Sequence, residues 1–576
     1  MSDLDATLEA PLPEVESPST TGGAGTTDGR TGSYLVAAGI LLSRIAGLVR
    51  EVAISAYLGV GATADVVKAS ARIPNLLQNL LGEGVLSASF IPVYARLLEE
   101  DRRKANLLAG KVLGLLLALM AAIVAVGVLA ARPLTLIITP GFEGEQLELA
   151  TTLLRIMFPG VAFLVLSAFC TGILNSHRHF FLSYVSPVMW NATQIAFLVA
   201  AGLYGATDVG IAHALAWGVL VGAILEVVIQ VPSVRRLTSG ARLSLDHRSP
   251  EVREVIHRFT PVVVGRGVIQ LLTYVELFLA SLLAVGAVSA LTYGQVLYLL
   301  PISLFGMAVA AAELPELARI GRSGRAAIKA RLHEGLERIT FYVSITVAIY
   351  VFAGDVIVRV LFQRGEFTAA DTRLVWYVTA AFALGLLGTT RSRLLQNGLF
   401  ALDRTTLVAR IAVVRVALAA LIGGLLMFPL DRYAIVGSTI EKVGPIALRP
   451  LPDSLRLVED GPPHLGIVGL ALGAALSSWV EYRLLKGALR WRIGALPPMD
   501  LAGRWCLIAA GGVGILAAGL RSVTDHLPSI VALVLVAGPS VLAYLLITWI
   551  VRVPEAVAIV SRVRRLVPVG PGGDRG

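Results

Sequence analysis

The stretch "VLGLLLALMAAIVAVGVLA", residues 112–130, decides the fold. It carries no charge, no amide side chain and no proline, and as a helix it reaches close to the ~30 Å of bilayer hydrocarbon. A second run, "IVALVLVAGPSVLAYLLITWIV" (530–551), has the same character, and similar blocks fill most of the chain between short polar breaks. The 576 residues are 56% hydrophobic and 15% charged, with mean hydropathy +0.76; an ordinary soluble domain is ~25% charged. One soluble core cannot absorb that much apolar surface. The pattern predicts an all-α polytopic membrane protein.

Working outward by the length rule gives about fourteen transmembrane helices. Residues 1–32, acidic and rich in Gly, Ser and Thr, read as a disordered cytoplasmic tail rather than a cleaved signal. The loops "ARLLEEDRRK" (95–104), "VRRLTSGARLSLDHRSPEVREVIHR" (234–258) and "ARIGRSGRAAIKARLHEGLER" (318–338) are basic, whereas "TPGFEGEQ" (139–146) and "YGATDVG" (204–210) are neutral or acidic. Basic loops stay in the cytoplasm, so this alternation predicts that both termini are cytoplasmic. The exception is the mixed-charge segment 429–464, read as an extracytoplasmic insertion.

"FIPVYARL" (90–97) and "ELPELARI" (313–320) share Pro-x-x-Ala-Arg around Pro92 and Pro315, six spans apart. Two parallel six-helix repeats follow, a class of architecture that encloses a central cavity. The expected division is an N-lobe over 33–247 and a second lobe starting with 248–428. After the insertion the second lobe is completed by 465–492, followed by two C-terminal helices (493–552) and a cytoplasmic tail (553–576).

The net charge of +10 does not mark a nucleic-acid binder, because the basic residues are dispersed over loops that set orientation. Two cysteines, Cys170 and Cys506, lie inside apolar blocks and support neither a disulfide framework nor a metal site. Neither a phosphate loop, a metal motif nor a nucleophile elbow is present. The pattern therefore predicts no enzyme, no cofactor and no metal; transport without an ATP site runs on a gradient, the membrane potential or partner enzymes.

The chemistry lies in charges within the spans. "LLSRIAGLVREVAISAYLG" (41–59) carries Arg44, Arg50 and Glu51, and "ADVVKASARIPNLLQNLLGEG" (64–84) carries Asp65, Lys68, Arg72, Gln78, Asn79 and Glu83. A charge at the bilayer centre costs at least ~2.5–3.5 kcal/mol, so such residues face a bundle interior or a water-filled cavity. At ~100° per residue, Asp65, Lys68, Arg72, Asn79 and Glu83 project onto one stripe, loosened by a kink at Pro74. The alternative is a set of buried ion pairs that fix helix packing, for example Arg44 with Asp65. Four basic residues on these two spans face three acidic ones, a small surplus that favours an anionic ligand. Arginine forks match phosphate oxygens, making Arg44, Arg50 and Arg72 candidate diphosphate ligands. Arg266, flanked by glycines in "PVVVGRGVIQLLTYVELFLA" (261–280), is a further cavity candidate. Arg391 and Arg393 read as snorkelling or pairing near a helix end.

"SRIAGLVRE", "ATADVVKASARIPNLL", "GEGVLSASFIPVY", "YLLPISLFGMAVAAAELPELAR" (298–319) and "LFQRGEFTAADT" (361–372) together resemble the MurJ/MviN family. The resemblance implies the multidrug/oligosaccharidyl-lipid/polysaccharide exporter fold and a bacterial plasma-membrane location. It implies flipping of lipid II, the undecaprenyl-diphosphate-linked peptidoglycan precursor, from the inner to the outer leaflet. Membrane lipids and cell-wall synthesis and division proteins are the implied partners. Arg44, Arg50, Asp65 and Glu83 match charged positions of the family. The family's double arginine after "PNLL" is Gln78 and Asn79 here, and its eighth-span arginine is Val296. Lys68 and Arg266 are the expected replacement charge. Alternatives are an exporter of another polyprenyl-linked glycan and a non-transporting cell-wall scaffold that has lost its site.

Overall fold

The computed structural model describes residues 27–272, 274–306, 313, 319, 324–402, 404–459 and 461–566. The expected tail 1–26, the Pro315 half of the repeat and the segment 567–576 lie outside the described residues. The chain divides into two compact units, one formed by residues up to Tyr57 with Val66–Tyr274, the other by Leu58–Asp65 with the chain from Val275 onward.

The first unit contains α1 (Thr27–Leu58), most of α2 (Ala62–Ser70), α3 (Arg72–Leu81), α4 (Glu83–Glu100) and α5 (Arg102–Leu129). It continues through α6 (Ala131–Ile138), α7 (Gly144–Ser176), α8 (Phe180–Leu203), α9 (Asp208–Leu237) and α10 (Pro250–Leu272). Local chemistry explains the boundaries. The Asp101 carboxylate caps α5 by accepting from the amides of Arg103 and Lys104, as an N-cap aspartate does. Pro74 has no N–H to offer the preceding turn, and the helix is interrupted at Ala71. Gly82 then ends α3 with ψ −141°, and a Cβ there would sit 2.3 Å from the Gln78 carbonyl oxygen. The core packs Phe90, Tyr94, Val165, Phe169 and Leu174 from α4 and α7. Val252 and Val255 of α10 join this core, and Arg96 pairs with Glu254 at 2.6 Å. Residues 248–272, expected to open the second lobe, thus pack with the first.

The second unit holds α11 (Tyr274–Ser281) from Val275 onward, α12 (Ala287–Pro301) with a π-helical turn at Ile302–Gly306, α13 (Arg325–Phe362), α14 (Ala369–Phe400) and α15 (Thr405–Leu430). After the hairpin β1 (Tyr433–Val436) and β2 (Thr439–Lys442) come α16 (Asp453–Arg456), α17 (Gly466–Ile493), α18 (Leu501–Thr524), α19 (Ser529–Ile550) and α20 (Pro554–Leu566). Within 429–464 the hairpin turns at Gly437 (φ +57°), the glycine of a two-residue turn of type II′. Thr368 and Asp371 form a capping box at the start of α14. Gly469 and Gly473 let α17 approach α15 closely, since a Cβ on Gly473 would lie 2.4 Å from the Gly423 nitrogen. This is the small-residue spacing that membrane helices use to pack. Ile328, Leu332, Leu394, Leu395 and Leu485 form the core, and Phe341, Cys506, Val513 and Tyr544 seat α18 and α19 on α13.

Each of the fourteen expected blocks is mainly helical over its described residues, with breaks at Ala71 and Gly82 in the second and after Ser281 in the seventh. Ten helices are long and apolar enough to cross a membrane, counted among the described residues. The blocks outside that count, in α1, α8, α10–α11 and α17, carry more polar residues or run beyond the described side chains.

Candidate functional site

Asp65, Lys68, Arg72, Asn79 and Glu83, expected on one stripe, do not share one continuous helix, because the second block is three helices, α2, α3 and α4. In the first unit, α1 and α2 bring Arg50, Glu51 and Lys68 together. Glu51 divides its carboxylate: Oε1 accepts from Arg50 Nη2 at 2.8 Å, and Oε2 accepts from Lys68 Nζ. Lys68 is 6% exposed, so this is a nearly dry ion pair, of the kind whose disruption is costly. Trp190 on α8 lies under the Arg50 guanidinium, 5.2 Å from its ring centroid, a cation–π contact that orients the fork. Arg50 Nε is buried without a hydrogen-bond partner. One carboxylate thus serves two cations, with an arginine donor left over.

Arg44 is exposed and has no ion pair among the described residues. Arg72 opens α3, where its carbonyl accepts from the Tyr274 hydroxyl at 2.6 Å. Gln78 is half-buried and Asn79 exposed. The side chains of Glu83 and Arg266 lie outside the described residues.

Asp65 belongs to the second unit and is 3% exposed. Its Oδ2 accepts from the Gly286 amide at 2.8 Å and its Oδ1 from the Ser289 amide at 2.7 Å. It therefore caps α12 across a sequence separation of more than two hundred residues. The rest of the 58–65 segment is gripped alongside it. Tyr293 Oη donates to the Gly59 carbonyl at 3.3 Å, and Gly59 (φ +55°) abuts the Glu366 carbonyl, which a Cβ would approach to 2.6 Å. The carboxylate expected on the stripe with Lys68 is engaged by backbone amides instead.

Other polar groups inside the helices find partners that the sequence did not show. Buried in the first unit, Ser167 Oγ donates to Glu226 Oε1 (2.8 Å), Gln230 Nε2 donates to Ser167 Oγ (2.7 Å) and Thr171 Oγ1 donates to Gln230 Oε1 (3.3 Å). In the second unit Arg415 pairs with Glu481 at 3.1 Å, and Gln396 donates to the other Glu481 oxygen at 3.0 Å. Arg391 does not snorkel: it is 5% exposed, donates to Thr340 Oγ1 and lies over the Tyr482 ring at 5.8 Å. A signal existed for each, namely an ionisable residue inside an apolar block, but its partner lies on a helix distant in sequence. Among the described residues, no three His, Cys, Asp or Glu side chains come together as a metal site.

The niche sits in a polytopic bundle of long apolar helices. In fold it is similar to a solved multidrug resistance MATE family transporter of the MOP superfamily, inward-facing, with a TM-score of 0.55 at 16% identity, over 79% of this chain and 95% of that one. The family model described as "Lipid II flippase MurJ" matches residues 54–440, and the chain belongs to that family. A probable lipid II flippase MurJ of Rhizobium tropici is 33% identical over 393 residues, covering 67% of this chain and 73% of the relative. The lipid II flippase MurJ of Burkholderia cenocepacia is 30% identical over 413 residues, covering 69% and 76% respectively. A solved lipid II flippase MurJ in an inward closed conformation superposes with a TM-score of 0.66 at 20% identity, over 90% of this chain and 98% of that one.

Proposed function

We propose that this chain moves lipid II from the inner to the outer leaflet of the bacterial plasma membrane by alternating access, with both termini in the cytoplasm. The observation that carries the reading beyond family membership is the niche of Arg50, Glu51 and Lys68. A diphosphate has two anionic groups and needs donors already stripped of water. Arg50 is fixed over Trp190 with a buried Nε still unsatisfied, and Lys68 is held by the same carboxylate. A phosphate arriving there competes with Glu51 for cations rather than for bulk solvent, where the interaction is weaker. Arg44, exposed two turns before Glu51, supplies the outer charge, and Arg72 and Arg266 belong to the same proposed set. Glu51 keeps the niche from being occupied permanently, since its carboxylate recaptures both cations after release. Cell-wall synthesis and division proteins are the proposed partners.

The substitution of Gln78 and Asn79 for the family's arginines favours one competing reading, a cell-wall scaffold without transport. A headgroup-accessibility assay for lipid II, in cells that rely on this protein alone, separates the two. Lipid II appearing on the outer face, and its loss in Arg50→Ala, supports transport. Cells that survive with lipid II retained inside refute it.

A further inference from the structure

The segment joining α9 to α10, residues 238–249, has no regular secondary structure over most of its length, yet it is fastened along α5. Asn106 Nδ2 donates to the Ser239 carbonyl at 2.8 Å, and Lys111 Nζ pairs with Asp246 at 2.7 Å. Between these anchors the strap lies directly on helix backbone. A Cβ on Gly110 would stand 2.3 Å from the Arg242 oxygen, and one on Gly114 would stand 2.4 Å from the Ser244 oxygen. Asn106, Gly110 and Gly114 recur every four residues, which places them on one face of α5 as a track for the extended chain.

The side chains alternate, as extended backbone requires. Ser244 and Asp246 are turned partly inward, whereas Leu243 is 66% exposed and Leu245 62%. Arg242 and Arg248 on the strap, and Arg235 and Arg236 in the last turn of α9, are exposed as well. The only acid between residues 235 and 248 is Asp246, and Lys111 occupies it. The strap ends level with Gly114, where the uncharged run of α5 begins. Extended backbone with open N–H and C=O groups does not face bilayer hydrocarbon, so the strap marks the headgroup layer, with its two leucines directed toward the acyl boundary. An exposed apolar pair accompanied by four exposed arginines and a single, already paired acid fits a membrane surface bearing negative charge.

We propose that the 238–249 strap docks on anionic phospholipid headgroups of the cytoplasmic leaflet, with Leu243 and Leu245 inserted and the four arginines on the phosphates. A leaflet rich in such lipid holds the α9–α10 connection against α5, and a neutral leaflet releases it. The proposal uses none of the residues of the charged niche. Its leaflet assignment rests on the orientation proposed above, but both faces of a nanodisc carry the same lipid, so the docking test is independent of orientation.

The test places bimane on Leu243→Cys in the full-length chain, in a Cys170→Ala/Cys506→Ala background, with Leu245→Cys as a second site. Nanodiscs of phosphatidylcholine alone are compared with discs that also contain phosphatidylglycerol. Docking gives a blue shift, loss of iodide access and quenching by lipid nitroxides placed just below the headgroup, each stronger with phosphatidylglycerol. Replacing the four arginines by Gln weakens that lipid dependence by about fivefold per arginine removed, with the melting temperature unchanged. A probe that stays open to iodide in anionic discs at both sites overturns the docking. Equal quenching in both lipids, indifferent to the Arg→Gln changes, overturns the anionic recognition. Protection that appears only when a cytosolic protein is added overturns the choice of a lipid partner.

Discussion

Asp65→Ala is the perturbation that most directly tests how the second unit is held. The N-terminus of α12 has no capping side chain of its own: Gly286 occupies the N-cap position at φ +90°, ψ −10°, and contributes no side-chain acceptor. A helix start leaves its first amides without intrahelical partners, and here two of them, Gly286 and Ser289, point at one carboxylate. A hydrogen bond to a charged group is worth about 1.5–3 kcal/mol, and a negative charge at a helix N-terminus adds a favourable interaction with the helix dipole. Against this stands the cost of burying the carboxylate, which the alanine variant no longer bears. The net loss for Asp65→Ala is about 3 kcal/mol, a fall of roughly 5 °C in melting midpoint for a unit of this size. Asp65→Asn keeps one acceptor but turns an NH2 group toward the second amide, and falls by about two thirds as much.

The assay is thermal unfolding in detergent, followed by intrinsic fluorescence and combined in a cycle with Tyr293→Phe. Both side chains hold the 58–65 segment, so once Asp65 is gone the hydroxyl of Tyr293 has little left to hold. The double variant is expected to lose about 0.5–1 kcal/mol less than the sum of the single variants. A wild-type midpoint for Asp65→Ala refutes the capping role. Strict additivity in the cycle refutes the shared grip on the segment.

Lys68→Met leaves the Glu51 carboxylate half-satisfied in a dry site, lowering stability by about 3 kcal/mol and reducing lipid II transport. Adding Glu51→Gln is expected to restore the melting midpoint but not the headgroup-accessibility signal, which separates folding from anion binding. Gly473→Ala drives a Cβ to 2.4 Å from the Gly423 backbone nitrogen and costs about 1–3 kcal/mol or more in melting experiments. Gly424→Ala, with nothing within 4 Å, is neutral or stabilises by up to about 1 kcal/mol. Burial raises the Asp431 carboxyl to about 7, against partial relief from the amides of Ala284 and Gly466 and from Arg432 and Arg456. The unfolded chain gives up that proton near 3.8, so the folded state holds more protons in between and stability falls as pH rises from about 4 to about 7. Burial lowers His464, which meets the Asp431 carbonyl at 2.7 Å, and its contribution instead rises with pH up to its ordinary value of 6.5. Melting curves across this range are expected to lose the falling component in Asp431→Asn and to fall more steeply in His464→Gln.

What the sequence made legible follows from how local each signal is. Apolar blocks such as 112–130 announce themselves, because desolvation acts on every residue of a span independently of its neighbours. Arg50 and Lys68 were visible for the same reason: a charge in such a block is costly wherever its partner lies. The partners were not visible. Trp190 lies under Arg50 from a helix more than a hundred residues later, and Glu226 accepts from Ser167 on α7, 59 residues earlier in the chain. The projection of Asp65 through Glu83 onto one stripe assumed a continuous helix. Pro74 gave warning of the interruption near Ala71, but Gly82 broke the helix a second time, and a glycine near a helix end has no sequence mark that separates tolerance from termination. The consequence reaches the charge balance itself. Four basic residues against Glu51, Asp65 and Glu83 is a sequence count that treats all seven as sharing one space. Asp65 spends its charge on the amides of α12 in the second unit. Around Glu51 the structure brings together two cations, Arg50 and Lys68, against one carboxylate, the same surplus of one that the sequence count gives.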